Sequence, residues 1–452
     1  MPPTLDQILF PQAATANLSK LLGDLKRANL SIPNRLHSIR QDADFVAAVA
    51  DILQLPLVAN ERCGSWYIPP RNKAASAYFK STDGHTGEWK FSTRRLNLHL
   101  VDTIVRHHGC IIVDSTRRGK SMPDALSKTV PVWCATVNAA LGIGNALFVP
   151  PNVVSGSEKS QMEARLPGFA KALLELNLPL DALRGKLDKP LRPVWVTRED
   201  DLDVVRECVE ELGREWSPVV CCTSSRRMVG VDVEVEEGGY IQGAGDDTEN
   251  WARGLTAEVF WKNEELLMGL GEGEVEEAIE GLMARREKGQ SEVHELGWGL
   301  WVGELEAREK CVKEGACVAV LGKGAKAGEE DVGNERELKV PVGKGKLGSR
   351  DLRDKLGEVC QFVGAYLGKA GKEGKVVILC ETGRDLSVGV ALALACWCFD
   401  GEGNPRPEGG KEPLNKTAIR VKLGQIMTAM PNANPSRATL QSVNSFLMDW
   451  RK

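Results

Sequence analysis

The chain has 452 residues, 42% hydrophobic and 27% charged, which excludes a wholly disordered chain and requires two or three cores rather than one. A formal net charge of −4 and a pI near 6.0 exclude a uniformly basic polynucleotide binder, so any affinity for polyanions must be local. Twelve cysteines without a C-x-x-C pair argue against a zinc ribbon, and the polar, proline-broken start MPPTLDQILFPQAATANLSKLL lacks the apolar core of a secretory signal. Free thiols in a reducing compartment, cytosol or nucleus, are therefore expected, with the cytoplasm the expected location.

In chain order, the first half-hundred residues predict helices. Apolar residues recur at helical spacing in Leu18, Leu21, Leu22 and Leu25, and again in Phe45, Ala48, Val49, Ile52 and Leu53. From about 60 to 135 the texture becomes that of an α/β layer. Short apolar runs, CIIVD from Cys110 and PVWCATVNAAL from Pro131, alternate with polar loops. An amphipathic helix is predicted over 157–176, and buried strands over 191–197 and 217–225. A Glu-rich helix runs from Gly273 to Lys288, and GLWVGELEARE opens a new unit at Gly299. Residues 322–348 are dense in Gly, Lys and Glu and read as a solvated loop. The main domain boundary is expected near residue 290, giving domains 1–290 and 291–452.

The segment KVVILC-ETGRDLSVG-VALALACW has a clear physical logic. Val376 to Leu379 form a buried strand, and an almost wholly apolar helix starts at Ser387. The run from Val388 to Phe399 is too short to span a bilayer and reads as a buried helix. Between strand and helix lies a loop with Gly383. Strand–loop–helix geometry points successive backbone N–H groups at one spot, next to a helix N-terminus, and a phosphate is the natural guest. The candidate cradle comprises Cys380, Glu381, Thr382, Gly383, Arg384, Asp385, Leu386 and Ser387. Cysteine phosphatases use C-x5-R, in which the thiolate attacks phosphorus and the arginine clamps its oxygens. Here Leu386 holds the arginine position and Leu379 the histidine position before the cysteine. A buried strand-end cysteine, an anion cradle without covalent chemistry and a working phosphatase all stay open on these residues.

Other constellations lie upstream. Residues 71–130 hold eleven Lys/Arg against five Asp/Glu, interleaved with Tyr78, Phe79, Trp89 and Phe91. That suits a polyanion such as structured RNA, or an ordinary solvated surface. Lys80, Ser81, Asp83 and His85 crowd around a glycine. Asp83 is a candidate metal ligand or proton acceptor, and Lys80 a phosphate contact. A strand ending in Asp114 leads into Ser115, Thr116, Arg117, Arg118, Gly119 and Lys120, again a phosphate-site geometry. Asp246 and Asp247 follow a flexible Gly-x-Gly and are candidates for Mg²⁺ through substrate phosphates, or for capping the next helix.

The flanks of the cradle resemble the dual-specificity-phosphatase fold. GLWVGELEARE is similar to its opening strand, LRDKLGEVCQFVGAYL to the helix before the cradle, and PNANPSRATLQSVNSFL to its closing helix, capped by Asn434, Pro435 and Ser436. Together the strings YFKSTDGH, FSTRRLNLHL, DSTRRGKSMPDALSKTVPVWC, YIQGAGDD, TGRDLSVGVAL and NPSRATLQSVNSFLM resemble the initiator tRNA phosphoribosyl transferases of fungi and plants, from about residue 35 to 450.

The resemblance implies an N-terminal α/β domain with a helical leading segment, plus a C-terminal dual-specificity-phosphatase-like α/β domain. It implies transfer of a ribosyl phosphate from phosphoribosyl pyrophosphate to the 2′-hydroxyl of a T-stem adenosine in initiator methionine tRNA, which keeps that tRNA from elongation. Mg²⁺ would serve as cofactor, and neither a membrane nor an obligate protein partner is implied. On this reading the 380–387 loop, Lys80, Arg117 and Lys120 hold the donor's phosphates. Asp83, His85, Asp246 and Asp247 supply base or metal duty, and Arg94, Arg95 and Arg118 meet the tRNA backbone. A catalytically inactive phosphatase-like RNA-binding scaffold and an RNA or protein phosphatase are the alternatives.

Overall fold

The computed structural model describes residues 30–82, 87–117, 119–176, 178, 180–228, 239–246, 248–286, 293–322, 336–343, 345–400, 403–406, 414–430 and 432–449. The predicted helix around Leu18–Leu25 lies outside them, as do the candidate site residues Asp83, His85, Arg118 and Asp247.

Helix α1, Ile32–Leu53, opens on Ser31, whose hydroxyl accepts from the Asn34 amide, with Pro33 in its first turn. It closes at Gln54 in the left-handed region. Leu36, Ile39, Ala43, Val46 and Val49 fall on one face and are buried. This face covers one side of a five-stranded sheet. Its strands are β1 (Leu57–Asn60), β2 (Lys73–Ala77), β3 (Cys110–Asp114), β4 (Leu191–Val196) and β5 (Ser217–Thr223), in the order β2-β1-β3-β5-β4 and all parallel.

Parallel sheets need cover on both faces, and β3 and β5 are buried at every residue. Alternation along β3 divides its side chains between two cores. Ile111 and Val113 join Leu36, Ile39 and Val46 under α1. Cys110 and Ile112 join Leu100 and Ile104 of α2 (His99–His107) and Val130 and Val137 of α3 (Val130–Leu141) on the other face.

A second five-stranded sheet holds β6 (Val293–Gly297), β7 (Leu300–Glu304), β8 (Cys317–Leu321), β9 (Glu337–Val340) and β10 (Val376–Cys380). Its order is β6-β7-β10-β8-β9, with only β6 antiparallel. Helices α4 (Gly345–Ala370), α5 (Leu386–Trp397), α6 (Lys416–Ala429) and α7 (Arg437–Asp449) complete this half. Helix α5 is buried continuously from Ser387 to Cys396, which explains its lack of a polar face. The halves touch directly: Val421 of α6 packs on the α2–α3 core, and a Cβ on Gly424 would lie 3.2 Å from Leu96.

The mixed α/β class agrees with the sequence expectation. Three local readings change. PVWCATVNAAL is helix α3 rather than a short run in the layer. The helix predicted over 157–176 is two helices, Gly156–Glu163 and Leu166–Leu174, because Pro167 cannot continue a helix from within. The supposed solvated loop 322–348 contains β9, whose ELKV pairs with β8 as an edge strand and needs few large apolar residues. All twelve cysteines are free thiols, with Cys208 alone exposed. No helix among the described residues is long and apolar enough to cross a membrane.

Candidate functional site

The order of the first sheet locates a crevice. The chain leaves β1 for β2 on one side and returns to β3 on the other. Loops at the carboxyl ends of β1 and β3 therefore diverge, and a parallel sheet binds ligands at such a switch point. Strand β1 ends in Asn60, followed by Glu61, Arg62 and Cys63. Strand β3 ends in Asp114, followed by Ser115, Thr116 and Arg117.

Asp114 is fully buried and fully bonded. Asn60 Nδ2 donates to its Oδ2 at 2.8 Å and Arg62 Nε at 3.3 Å. Cys63 Sγ donates to its Oδ1 at 3.0 Å and the Ser115 amide at 2.9 Å. Burial pushes its carboxyl pKa up, and Arg62 with the Cys63 bond pulls it back. Burial opposes the charge on Arg62, but Asp114 and Asp246 more than offset it and hold the guanidinium protonated. The Cys63 thiol is pushed far up by burial, then by Asp114 and Asp246, so it serves as a neutral donor rather than a nucleophile. Asn60 also exchanges hydrogen bonds with Phe79, at 2.8 and 3.0 Å, tying the end of β1 to the chain leaving β2.

A third segment, 240–246, closes over this floor. The Ile241 amide donates to Ser38 Oγ, Arg35 donates to the Ala244 carbonyl, and the Gly245 amide donates to the Tyr67 hydroxyl. Its glycines are there for close approach rather than flexibility. Gly243 has φ +73°, and a Cβ there would lie 2.8 Å from the Thr116 carbonyl oxygen. A Cβ on Gly245 would lie 2.9 Å from the Tyr67 hydroxyl. The segment delivers Asp246, whose Oδ1 is 3.5 Å from Arg62 and whose Oδ2 is 3.9 Å from Arg117 Nε. Thus its carboxylate faces arginines rather than capping the helical turn at Thr248. Asp246 Oδ2 is buried and accepts no hydrogen bond.

These residues line a cleft of about 270 Å³ formed by Glu61, Arg62, Tyr78, Arg117, Asp246 and Asn434. Two arginines and two carboxylates in so small a space suit a compact, multiply charged ligand. Among the described residues no group of three or more His, Cys, Asp or Glu could cage a metal. The undonated Asp246 oxygen does fit a Mg²⁺ ion that takes one or two carboxylates and completes its shell with substrate phosphates and water.

Asn434 comes from the second half of the chain. Its amide N–H donates to the Arg384 carbonyl at 2.8 Å, so the 380–387 loop abuts the rim of the cleft. In that loop Cys380 is buried and its Sγ donates to Ser387 Oγ at 3.1 Å. Gly383 has φ +63°, and a Cβ there would meet the Gly303–Glu304 backbone at 3.0 Å. The Gly383 amide bonds the Cys380 carbonyl and the Arg384 amide bonds Thr382 Oγ1. Asp385 turns its carboxylate onto the start of α7, accepting from the Ser436 amide at 2.8 Å and Thr439 Oγ1 at 2.6 Å. Ser436, not Asn434, supplies the cap of α7, through the Thr439 amide. Leu386 opens α5 and packs half-buried on the core, while Glu381 and Arg384 are exposed to solvent or nearly so.

The remaining candidates divide. Lys80 and Lys120 are exposed and do not line the cleft: Thr129 donates to the Lys80 carbonyl, and Lys120 pairs with Asp124 at 3.8 Å. Arg94 is exposed. Arg95, expected on the tRNA backbone, is committed within the chain. It stacks on Tyr78 with its Cζ 4.3 Å from the ring centre, and donates to the Ala433 carbonyl and to Asn434 Oδ1. Sequence reasoning missed Asn60, Glu61, Arg62 and Cys63. The only available signal was a charged pair directly after a short apolar run.

Models of two known domains cover this chain: the Rit1 N-terminal domain over residues 25–284 and the Rit1 DUSP-like domain over 336–447. The chain belongs to the Rit1 family. Relatives in that family include the tRNA A64-2′-O-ribosylphosphate transferase of Saccharomyces cerevisiae, 32% identical across 96% of this chain and 95% of that protein. An uncharacterized protein of Schizosaccharomyces pombe is 36% identical across 92% of this chain and 94% of that one. Solved structures similar to part of the chain include human DUSP28 (17% identity, 35% of this chain and 95% of that one, TM-score 0.26). Another is a human tyrosine phosphatase-like serine/threonine/tyrosine-interacting protein (13% identity, 36% and 100%, TM-score 0.27). The Rit1 DUSP-like model spans β9, β10 and the helices around them, so the second half has the phosphatase-like α/β fold expected from its cradle.

Proposed function

We propose that this Rit1-family chain is a cytoplasmic pentosyltransferase that moves a ribosyl-5-phosphate group from phosphoribosyl pyrophosphate to the 2′-hydroxyl of adenosine 64 of initiator methionine tRNA. The tRNA activity is that of the Saccharomyces cerevisiae relative. The single observation that carries the reading to residues is the cleft, where Arg62, Arg117 and Asp246 converge at the switch point of a parallel sheet.

In this reaction the bond from the anomeric carbon to pyrophosphate breaks and a bond to the 2′-oxygen forms. Pyrophosphate leaves with the electron pair, and the hydroxyl proton must be taken up. The transition state resembles an oxocarbenium ion, so the protein's task is alignment and neutralisation of leaving charge. Arg62 and Arg117 suit the diphosphate. Asp246 would hold Mg²⁺, which when bound supplies further neutralisation of the leaving group. Lys80, Lys120 and the 380–387 loop would take the donor's other phosphate. Proton uptake falls to a cleft carboxylate or to Asp83 or His85. Arg94 and Arg118 remain for the tRNA backbone. Leu386 in the arginine position speaks against a phosphatase.

The test uses donor labelled in its 5′-phosphate, Mg²⁺, and initiator or elongator methionine tRNA. Label should enter initiator tRNA alone and protect one T-stem 2′-hydroxyl. No label in initiator tRNA, with the protein folded, rejects the reading.

A further inference from the structure

The side-chain oxygen of Asn434 is fixed by Arg95 at 2.7 Å, and its backbone amide is fixed by the Arg384 carbonyl at 2.8 Å. An amide whose oxygen faces a guanidinium must present its NH₂ on the other side. That Nδ2 group donates to none of the described residues, yet Asn434 lines the cleft. Arg95 is itself anchored, by stacking on Tyr78 and by a second bond to the Ala433 carbonyl. Tyr78 in turn is held through both backbone groups by Asn97, at 3.1 and 3.2 Å. The chain of restraints thus runs from the first sheet to a solvent-facing donor that the other half of the molecule supplies to the cleft.

We infer that Asn434 is a substrate-binding residue, donating through Nδ2 to an oxygen of the phosphorylated sugar donor, and that Arg95 is its positioning residue. The cleft is then a composite site, incomplete without the phosphatase-like half. A donor fits better than tRNA, because the cleft is small, about 270 Å³, and is lined by Arg62 and Arg117. A polynucleotide backbone tracks open basic surface instead. This inference rests on the proposed transfer only for the identity of the donor.

Asn434→Asp separates a binding role from a structural one. Aspartate keeps an acceptor for Arg95, and so keeps the halves docked, but puts a carboxylate oxygen where the donor group was. The expected result is a KM for phosphoribosyl pyrophosphate raised roughly tenfold in Asn434→Ala and roughly a hundredfold in Asn434→Asp. KM for tRNA should be unchanged and the thermal midpoint of Asn434→Asp not lowered. Arg95→Ala should raise the same KM, and adding it to Asn434→Ala should raise it no further, as for residues acting in series. An unchanged donor KM in Asn434→Asp, a rise in the tRNA KM instead, or additive effects would each overturn the assignment. Calorimetric titration with inorganic pyrophosphate tests the site apart from the reaction. If the parent transfers nothing to tRNA but binds pyrophosphate, and Asn434→Asp abolishes that binding, the proposed function fails and the composite site stands.

Discussion

The carboxylate of Asp114 and the guanidinium of Arg62 meet at 3.3 Å beneath the floor of the cleft. The pair joins the ends of two neighbouring parallel strands, and Arg62 reaches on to Asp246. Its stability role and its chemical role can be pulled apart. Arg62→Met leaves Asp114 buried with only neutral donors, from Asn60, Cys63 and the Ser115 amide. Breaking a fully buried pair costs ~3–5 kcal/mol; Arg62 is partly exposed, so about 2 kcal/mol is expected by urea titration. The double variant Arg62→Met/Asp114→Asn should regain most of that stability but none of the lost transfer. A double variant as unstable as the single one would show that packing, not charge, holds this corner.

Gly243 makes a sharper case, because two independent constraints coincide there. Its φ of +73° is unfavourable for any L side chain, and the added methyl would lie 2.8 Å from the Thr116 carbonyl oxygen. Gly243→Ala should destabilise by about 2–4 kcal/mol, summing backbone strain and overpacking. It should also lower transfer by displacing Asp246. Gly119→Ala is the control: φ is also positive, at +91°, but nothing lies within 4 Å of the added carbon. Its cost should be strain alone, about 1 kcal/mol. Equal denaturation midpoints for the two variants would contradict the packing argument.

The sequence made some of this site visible and hid the rest for physical reasons. CIIVD reads as a strand because four apolar residues end in an acid, and the structure ends β3 at that acid. The strand, loop and helix around Cys380 are legible because they are contiguous. Arg62 could not be found in this way. It follows LVAN, a four-residue strand too short for a periodic signal, and its partners Asp114 and Asp246 lie in other segments. The pairing of β1 with β3 and the closure of segment 240–246 bring them together. Arg95 shows the converse error. A basic residue in a basic stretch reads as a polyanion contact, but its partner Asn434 is 339 residues away. Asp385 similarly belongs to the cradle by position and to the start of α7 by its bonds.

Cys380 tests whether the cradle performs covalent chemistry. Its thiol already donates to Ser387 Oγ at 3.1 Å, and Leu386 occupies the place of a clamping arginine. Serine can keep the hydrogen bond with little change of volume. Cys380→Ser should leave transfer within about threefold of the parent, against the roughly 10⁴-fold or greater loss that removing a covalent nucleophile brings. Measured under single-turnover conditions, a loss of the larger size with donor binding intact would restore a nucleophilic role.

Asp42 makes stability depend on pH in a direction opposite to most carboxylates. It sits in α1 with one oxygen bonded by Tyr240, at 2.9 Å, and by Arg198, at 3.1 Å, while its Oδ2 is buried without a hydrogen bond. Burial pushes its pKa from 3.8 up to about 8, with Arg198, the Tyr240 bond and Arg226 opposing. Between those values the folded chain keeps a proton that the unfolded chain has lost. Stability from this group is therefore complete below about pH 4, falls as pH rises, and is gone above about pH 8, with a slope of at most ~1.4 kcal/mol per pH unit. Asp42→Asn is neutral throughout and can still accept from Tyr240 and Arg198. Its urea midpoint should fall less than the parent's between pH 5 and 8, so that the variant gains on the parent as pH rises. Parallel midpoint curves would mean that Asp42 is already ionised in the fold. Because Tyr240 begins the segment that ends in Asp246, the same titration should loosen the cleft. The parent's donor KM should then rise towards pH 8 while that of Asp42→Asn rises less.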